Sequence, residues 1–275
     1  GPCQCSRFAK TMLKVITNNT VLQRTLSIFL FATVILATFI FLRFNNIGET
    51  LYFQNDMGRD FLTLYDWQQT GKPPLLGPQT NFVPFNQSAF YFYFFYPLFI
   101  LTNHSFFTTN STLSFMYIAA FLVGLFMVRK NSQLVFMLFC FSALVAIHPQ
   151  LVLQHRYVWN PSFVVLFLSM GYFFFVKLQQ DFEKKYLFPF SMSVALAVGM
   201  SISAVPAAIA FLLLAVVLFH RDLKKILQVL FWLIIGHSIV FFPYILFELK
   251  YDFQIISRLF AQGITSPATE AVGLQ

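Results

Sequence analysis

Apolar runs of 15 to 22 residues recur along most of this chain, with short polar breaks between them. At about 1.5 Å per residue, a helical run of 22 residues, such as 21–42, reaches across roughly 30 Å of hydrocarbon. Inside lipid each backbone N–H and C=O needs a partner within its own segment, so the runs have to be helices. The chain is therefore read as all-α, a polytopic helical membrane protein. Only 10% of its 275 residues are charged, against about a quarter in a soluble domain. The 39 Phe are read as bulk for lipid-facing helices, not as an aromatic ligand box.

In such a chain the net charge of +8 is read by side of the membrane, and no nucleic-acid partner is expected from it. Arg7, Lys10 and Lys14 precede the first run, so residues 1–21 are expected in the cytoplasm. Gly1-Pro2 resembles the pair left when a tag is cleaved. Cys3, Cys5 and Cys140 match no metal spacing. The run 21–42 carries the chain out, and the run 112–128 must return, because Arg129-Lys130 comes directly after it. The aromatic stretch 88–101 between them is then not a crossing but an interfacial or re-entrant helix. Further runs at 133–147, 162–176, 186–203, 205–219 and 226–247 give about seven spans, the pair between 186 and 219 being barely long enough. The count by side agrees. Twelve basic residues fall inside and six outside, while seven of the ten acids, all but Asp181, Glu183 and Asp222, fall outside. A polar site on the outer face would explain that acid bias.

The outer segment 45–111 holds the densest polar chemistry. Asn55-Asp56-Met57-Gly58-Arg59-Asp60 places two carboxylates four residues apart, on one helical face with Arg59 close to it. A short amphipathic helix over 62–69 is expected to end at Gly71, and the prolines at 73, 74, 78 and 84 to keep the adjoining stretch irregular. His148, His155, Arg156, Trp159 and Asn160 come from a second outer loop at 148–161, and Glu248, Lys250, Asp252 and Arg258 come after the last run. A carboxylate among fixed guanidiniums suits group transfer from a phosphate-bearing donor: the carboxylate takes a proton from an incoming hydroxyl and the cations hold the leaving phosphate. Each residue also has an ordinary structural reading. Asp56 and Asp60 can belong to a solvated, capped helix, His155 and Arg156 can be interface anchors, and Asn160-Pro161 can start a helix.

The order of these motifs resembles the GT-C membrane glycosyltransferases, in particular the protein mannosyltransferase-like and aminoarabinose transferase-like enzymes. After one span come an Asp, an Arg three later and a Gly fifteen later, here Asp56, Arg59 and Gly71. The stretch 90–96 before Pro97 resembles the juxtamembrane helix of that family. Arg156-Tyr157-Val158-Trp159-Asn160-Pro161 resembles its Arg-x-x-Trp-Asn-Pro segment, and Pro243-Tyr244-Ile245-Leu246-Phe247-Glu248 its later Pro-Tyr-hydrophobic-Glu segment. The resemblance covers residues 22–260 as one transmembrane domain, with 261–275 as an outer tail. It implies transfer of a sugar from a polyprenyl-phosphate donor to a lipid, glycan or protein hydroxyl, with inversion, outside a bacterial or archaeal cell membrane. Asp56 would be the catalytic base. Arg59, Asp60, His155, Arg156, Asn160, Glu248 and Arg258 would contact substrate.

The sequence also departs from the family pattern. Met57 stands where many members have a second acid, which favours a metal-independent reaction without cofactor while leaving a divalent metal open. A Gln-x-His near the sixth span is missing, and the chain is short, as a small member or a shortened one. Two other readings stay open. One is a non-catalytic scaffold or partner subunit that uses the fold to bind lipid or another membrane protein. The other is a lipid-linked-sugar transporter, which calls for polar groups at mid-membrane depth, and only Ser201, Ser203, His237 and Ser238 offer them.

Overall fold

The computed structural model describes residues 4–50, 55–80, 85–105, 109, 111–156, 159–180 and 182–262, with side chains from 23 onwards except at 50 and 262. Among the described residues the protein is all-α except for one small hairpin. The chain divides into two compact units: residues 1–49 with 118–153, and residues 50–117 with 154–275.

The first unit is built on α1 (Gln4–Phe44) and α2 (Ile47–Thr50), with most of α5 (Thr112–Val128) and α6 (Ser132–Ile147). Asn131 starts α6, its side chain accepting from the backbone N–H groups of Gln133 and Leu134 at 3.1 Å. α1 and α6 run parallel. At one end Arg24 donates to the carbonyl of Arg129, just before α6. At the other, buried Arg43 donates to the carbonyls of Ala146 and Val145 at 2.8 and 2.6 Å, and its guanidinium lies 3.8 Å from the centre of the Phe39 ring. Arg43 thereby satisfies carbonyls that the last turn of α6 leaves over and sits at its negative dipole end. One side of α1 is open, with Leu26 67% and Phe29 71% exposed, which is compatible with a helix facing lipid, while Ala32 and Phe39 are buried.

The second unit carries α3 (Asn55–Thr70), β1 (Leu76–Gln79), β2 (Asn86–Ser88), α4 (Phe90–Leu101), α8 (Ser162–Gln180), α9 (Leu187–Met200), α10 (Val205–Leu218), α11 (Leu223–Val240), α12 (Phe242–Lys250) and α13 (Gln254–Gln262). The short α7 (Pro149–Gln154) closes the first unit in sequence, its last residue opening the second unit's later segment. α9 is the centre of this unit, enclosed by α8, α10 and α11. Phe175, Leu178, Phe190, Val194, Phe211, Val229 and Leu233 form its core. Small residues let these backbones approach. A Cβ on Gly236 of α11 would lie 2.8 Å from the Ser191 backbone, and one on Gly199 would lie 3.0 Å from Ser88 Cβ and 2.7 Å from Val240. Ser88, fully buried, donates to the Val240 carbonyl at 2.7 Å and accepts from the Phe90 N–H, so it ties the hairpin to α11 and starts α4.

Several sequence expectations change here. Each of the seven apolar runs falls largely in helix, but among the described residues three helical segments are long and apolar enough to cross a membrane: Gln23–Glu49, Ser162–Gln180 and Leu223–Val240. The run 186–219 folds as two helices of 14 residues each, about 21 Å long, parted by a 3₁₀ turn at Ile202–Ala204 that Ser201 caps. The run 226–247 is broken at Phe241, because Pro243 brings no N–H to the second helix and so opens α12 instead of continuing α11. The expected irregular stretch after Gly71 contains a hairpin, which Gly77 permits, since a Cβ there would meet the Ser88 carbonyl at 2.3 Å. The outer tail lies outside the described residues beyond 262, as does Tyr157-Val158 of the Arg-x-x-Trp-Asn-Pro segment. Ser201, Ser203 and His237 are locally satisfied, the His237 ring by the Leu233 carbonyl at 2.8 Å.

These close approaches set a stability test. Gly236→Ala is expected to destabilise by about 1–3 kcal/mol, the usual result of overpacking, because the backbone of Ser191 cannot swing aside. Gly124→Ala meets only Leu138 side-chain atoms at 3.6 Å and is expected to be neutral. Thermal midpoints of both variants in one detergent check this, and equal midpoints would contradict it.

Candidate functional site

α3 begins one residue before Asp56, so the Asp56 carboxylate stands in the first turn, where it complements the positive end of the helix dipole. Met57, Asp60 and Leu64 form the buried stripe of the helix at helical spacing. That stripe faces α4, and the two helices are held by aromatic contacts. Phe61 meets Phe99 edge-on at 5.9 Å, and Trp67 stacks on Tyr96 at 3.6 Å. Gly71, at φ +67°, ends α3 as expected and donates to the Trp67 carbonyl at 2.8 Å.

Within this frame Arg59 joins two carboxylates in different settings. Its Nη1 lies 3.1 Å from Asp56 Oδ1. Its Nε and Nη2 donate to Asp60 Oδ1 at 2.9 and 2.8 Å. The Tyr91 hydroxyl of α4 donates to the other Asp60 oxygen, Oδ2, at 2.7 Å. Asp60 is nearly sealed, its side chain 4% exposed, whereas Asp56 is 52% and Arg59 45% exposed. Burial raises Asp60 above the usual carboxylate range, against the pull of the Tyr91 hydrogen bond and of Arg59. Burial also holds Tyr91 well above its ordinary value, and the Asp60 charge adds to this, so the phenol stays a donor. For Arg59, partial burial pulls down, but Asp60 and then Asp56 push harder and the net shift is upward. The result is a fixed guanidinium with a half-open carboxylate beside it.

The other expected site residues fall into separate local settings. His155 is buried, its Nδ1 3.3 Å from Ser114 Oγ and its ring 4.5 Å from that of Tyr117. Asn160 is buried and donates through Nδ2 to the Met200 carbonyl at 2.7 Å, which closes the C-terminus of α9. Arg156 is half-buried after α7, and Arg258 lies exposed on α13. Glu248 is 4% exposed, and neither carboxylate oxygen has a hydrogen-bond partner among the described residues. One turn earlier on α12, Tyr244 is pushed up to about 12 by burial and by the Glu248 charge, while the Asn86 N–H bonds its oxygen. Among the described residues no group of three His, Cys, Asp or Glu is placed to hold a metal ion.

Tyr91 was not singled out in the sequence. It stands in a Phe-rich stretch where a tyrosine reads as an interfacial ring. The signal that could have found it is its phase: Tyr91, Phe95 and Phe99 form one stripe of α4, the buried one, so a hydroxyl there needs an internal partner. Against known proteins, the chain matches no family model, no curated protein and no solved structure.

The Tyr91–Asp60 bond has a pH signature. Because the folded-state value of Asp60 is raised, its contribution to stability is full below the ordinary carboxylate range and is lost as pH rises through that raised value. Tyr91→Phe removes a bond to the ionised form, so Asp60 should titrate higher still, and stability at neutral pH should fall by about 1.5–3 kcal/mol. Infrared difference spectra against Asp60→Asn read the carboxyl directly. An unchanged titration in Tyr91→Phe would show that the bond does not favour the ionised carboxylate.

Proposed function

We propose that this chain is a membrane glycosyltransferase of the GT-C kind, moving a sugar from a polyprenyl-phosphate donor to an acceptor hydroxyl at the outer face of a cell membrane. One observation carries the reading: the helix after the first long apolar segment opens with a half-exposed carboxylate, Asp56, paired with an arginine that a sealed Asp60–Tyr91 anchor holds in place. A single exposed ion pair is worth little. Here the guanidinium is fixed by a buried partner, which is the preorganisation a developing phosphate charge requires.

In the proposed reaction the acceptor hydroxyl attacks the anomeric carbon and gives its proton to Asp56. The bond from that carbon to the phosphate oxygen breaks, the lipid phosphate leaves, and the configuration inverts. Arg59 and Arg156 hold the phosphate. Asp60 acts through Arg59. Glu248 accepts from sugar or acceptor hydroxyls, which would give its buried oxygens the donors they lack. His155 and Asn160 shape the outer cavity through the segments they tie down.

The proposed topology has seven crossings, α1, α5, α6, α8, α9, α10 and α11, with the N-terminus in the cytoplasm. The parallel course of α1 and α6 supports the step on which this depends. If both rise in the same direction, the chain crosses back an odd number of times between them; α5 supplies one crossing and α4 none. The polar segment with Asp56 then lies outside.

Two substitutions test the chemistry. Asp56→Asn should lower transfer by about 10²–10⁴-fold, the range for loss of a general base, with lipid binding retained. Radiolabelled polyprenyl-phosphate hexoses in detergent or vesicles provide the assay. Binding without turnover in both wild type and variant would favour a non-catalytic partner subunit. Glu248→Gln should raise the thermal midpoint of the substrate-free protein, because an unpartnered buried charge costs more than a buried amide, while transfer falls. A lowered midpoint would show that the Glu248 carboxylate already has a stabilising partner.

A further inference from the structure

The last long apolar helix, α11, ends at Val240, and α12 begins at Phe242 after the break at Phe241. α12 has nine residues, about 14 Å, too short to cross a bilayer. It ends in a turn where Asp252 and Phe253 both adopt the left-handed region, at φ 50° and 56°. The Phe253 N–H donates to the Glu248 carbonyl at 2.8 Å, so the turn is hydrogen-bonded. α13 comes next, a short helix with two sharply different sides. Ile255, Ile256, Leu259 and Phe260 occupy one arc, while Gln254, Ser257, Arg258 and Ala261 occupy the other.

Only one edge of the apolar arc is used by the protein. Ile255 is buried, but Ile256 is 41% and Phe260 86% exposed. The exposed edge is not isolated. Phe242, Ile245, Leu246 and Leu249 of α12, together with Tyr251 and Phe253 in the turn, are also largely exposed. They continue the apolar surface of α11, where Phe231 is 58% exposed. Lys250 and Arg258 carry positive charge along the same segment, with the exposed Asp252 between them, while Glu248 is buried.

We infer that α13 is a membrane-surface helix that beds Ile256 and Phe260 at the boundary between headgroups and acyl chains, with its polar side toward water. The occupant is lipid because the open apolar edge is continuous with the surface of a helix long enough to span the bilayer. Phe260, 86% exposed on the same edge as Ile256, matches an interfacial anchor. The helix fixes the height of α12, and so of Glu248, relative to the bilayer. The inference rests on the membrane reading of α11 and not on the proposed chemistry.

Spin labels test it in the full chain, reconstituted in vesicles of phosphatidylethanolamine and phosphatidylglycerol. With the three native cysteines replaced by alanine, labels go at Phe231→Cys, Phe260→Cys and Ser257→Cys. Collision with oxygen, which concentrates in lipid, is compared with collision with a water-soluble nickel chelate. The inference expects the oxygen-to-nickel ratio at 260 to exceed that at 257 several-fold and to lie below that at 231. Equal ratios at 260 and 257, with 231 reporting lipid, would overturn the inference and leave the membrane reading intact. Nickel access at all three positions would overturn both.

Discussion

Asp60 is the one carboxylate of α3 that the fold seals, and the arrangement around it is a consequence of that. A carboxylate taken out of water costs several kcal/mol unless its oxygens are bonded and its charge is met. Arg59 fills one oxygen with two N–H groups, and the Tyr91 hydroxyl fills the other. Meeting that demand fixes the phase of α3 against α4, because residue 60 of one helix has to face residue 91 of the other. It also fixes where Arg59 can reach. Since that guanidinium is committed to Asp60 through Nε and Nη2, it turns Nη1 toward the first turn of α3, where Asp56 stands. The exposed pair is thus a consequence of the buried one.

The helices face a different constraint. Between apolar helices in lipid there is no hydrophobic drive, since lipid is as apolar as leucine, and association depends on close packing and on hydrogen bonds that have nowhere else to go. Both are visible around α9 and α11. Gly236 lets the α11 backbone sit against Ser191, and Gly199 opens room for Ser88, whose hydroxyl takes up the Val240 carbonyl at the end of α11. Arg43 does the equivalent for α6, filling two terminal carbonyls with one side chain. In each case a polar group inside the protein is spent on a helix end, where the backbone leaves groups over.

What the sequence made legible was local and periodic. The apolar runs mark where helix forms, Gly71 marks where α3 stops, and the charge pattern around Arg129 argues that α4 does not cross. What it hid depends on contacts between distant residues or on where a helix is cut. Among the described residues, seven runs of adequate composition contain three helices of adequate length: composition does not register the 3₁₀ turn at Ile202–Ala204, which leaves two short helices in 186–219, and α5 and α6 are themselves short, at 17 and 16 residues. The hairpin between Leu76 and Ser88 was hidden behind prolines that read as irregular. Its cause is Gly77, which accepts a close backbone approach that any Cβ would block. His155 and Asn160 have the residue types of a site, yet their direct partners are Ser114 and the Met200 carbonyl, choices that spacing cannot reveal.

The contrast among Asp56, Asp60 and Glu248 then orders their roles. Asp60 has its bonding capacity engaged and little solvent, so it is poorly placed to take a proton from a reactant. Asp56 is held by a single nitrogen of Arg59 and open on its other side, so it can meet an incoming hydroxyl without first breaking a buried network. Glu248 is the inverse case, buried like Asp60 but without the donors that make burial tolerable. A fold that satisfies Asp60 with three hydrogen bonds and leaves Glu248 with none among the described residues has given up stability at one place to keep acceptor oxygens unfilled. That is the pattern expected where a ligand brings the donors.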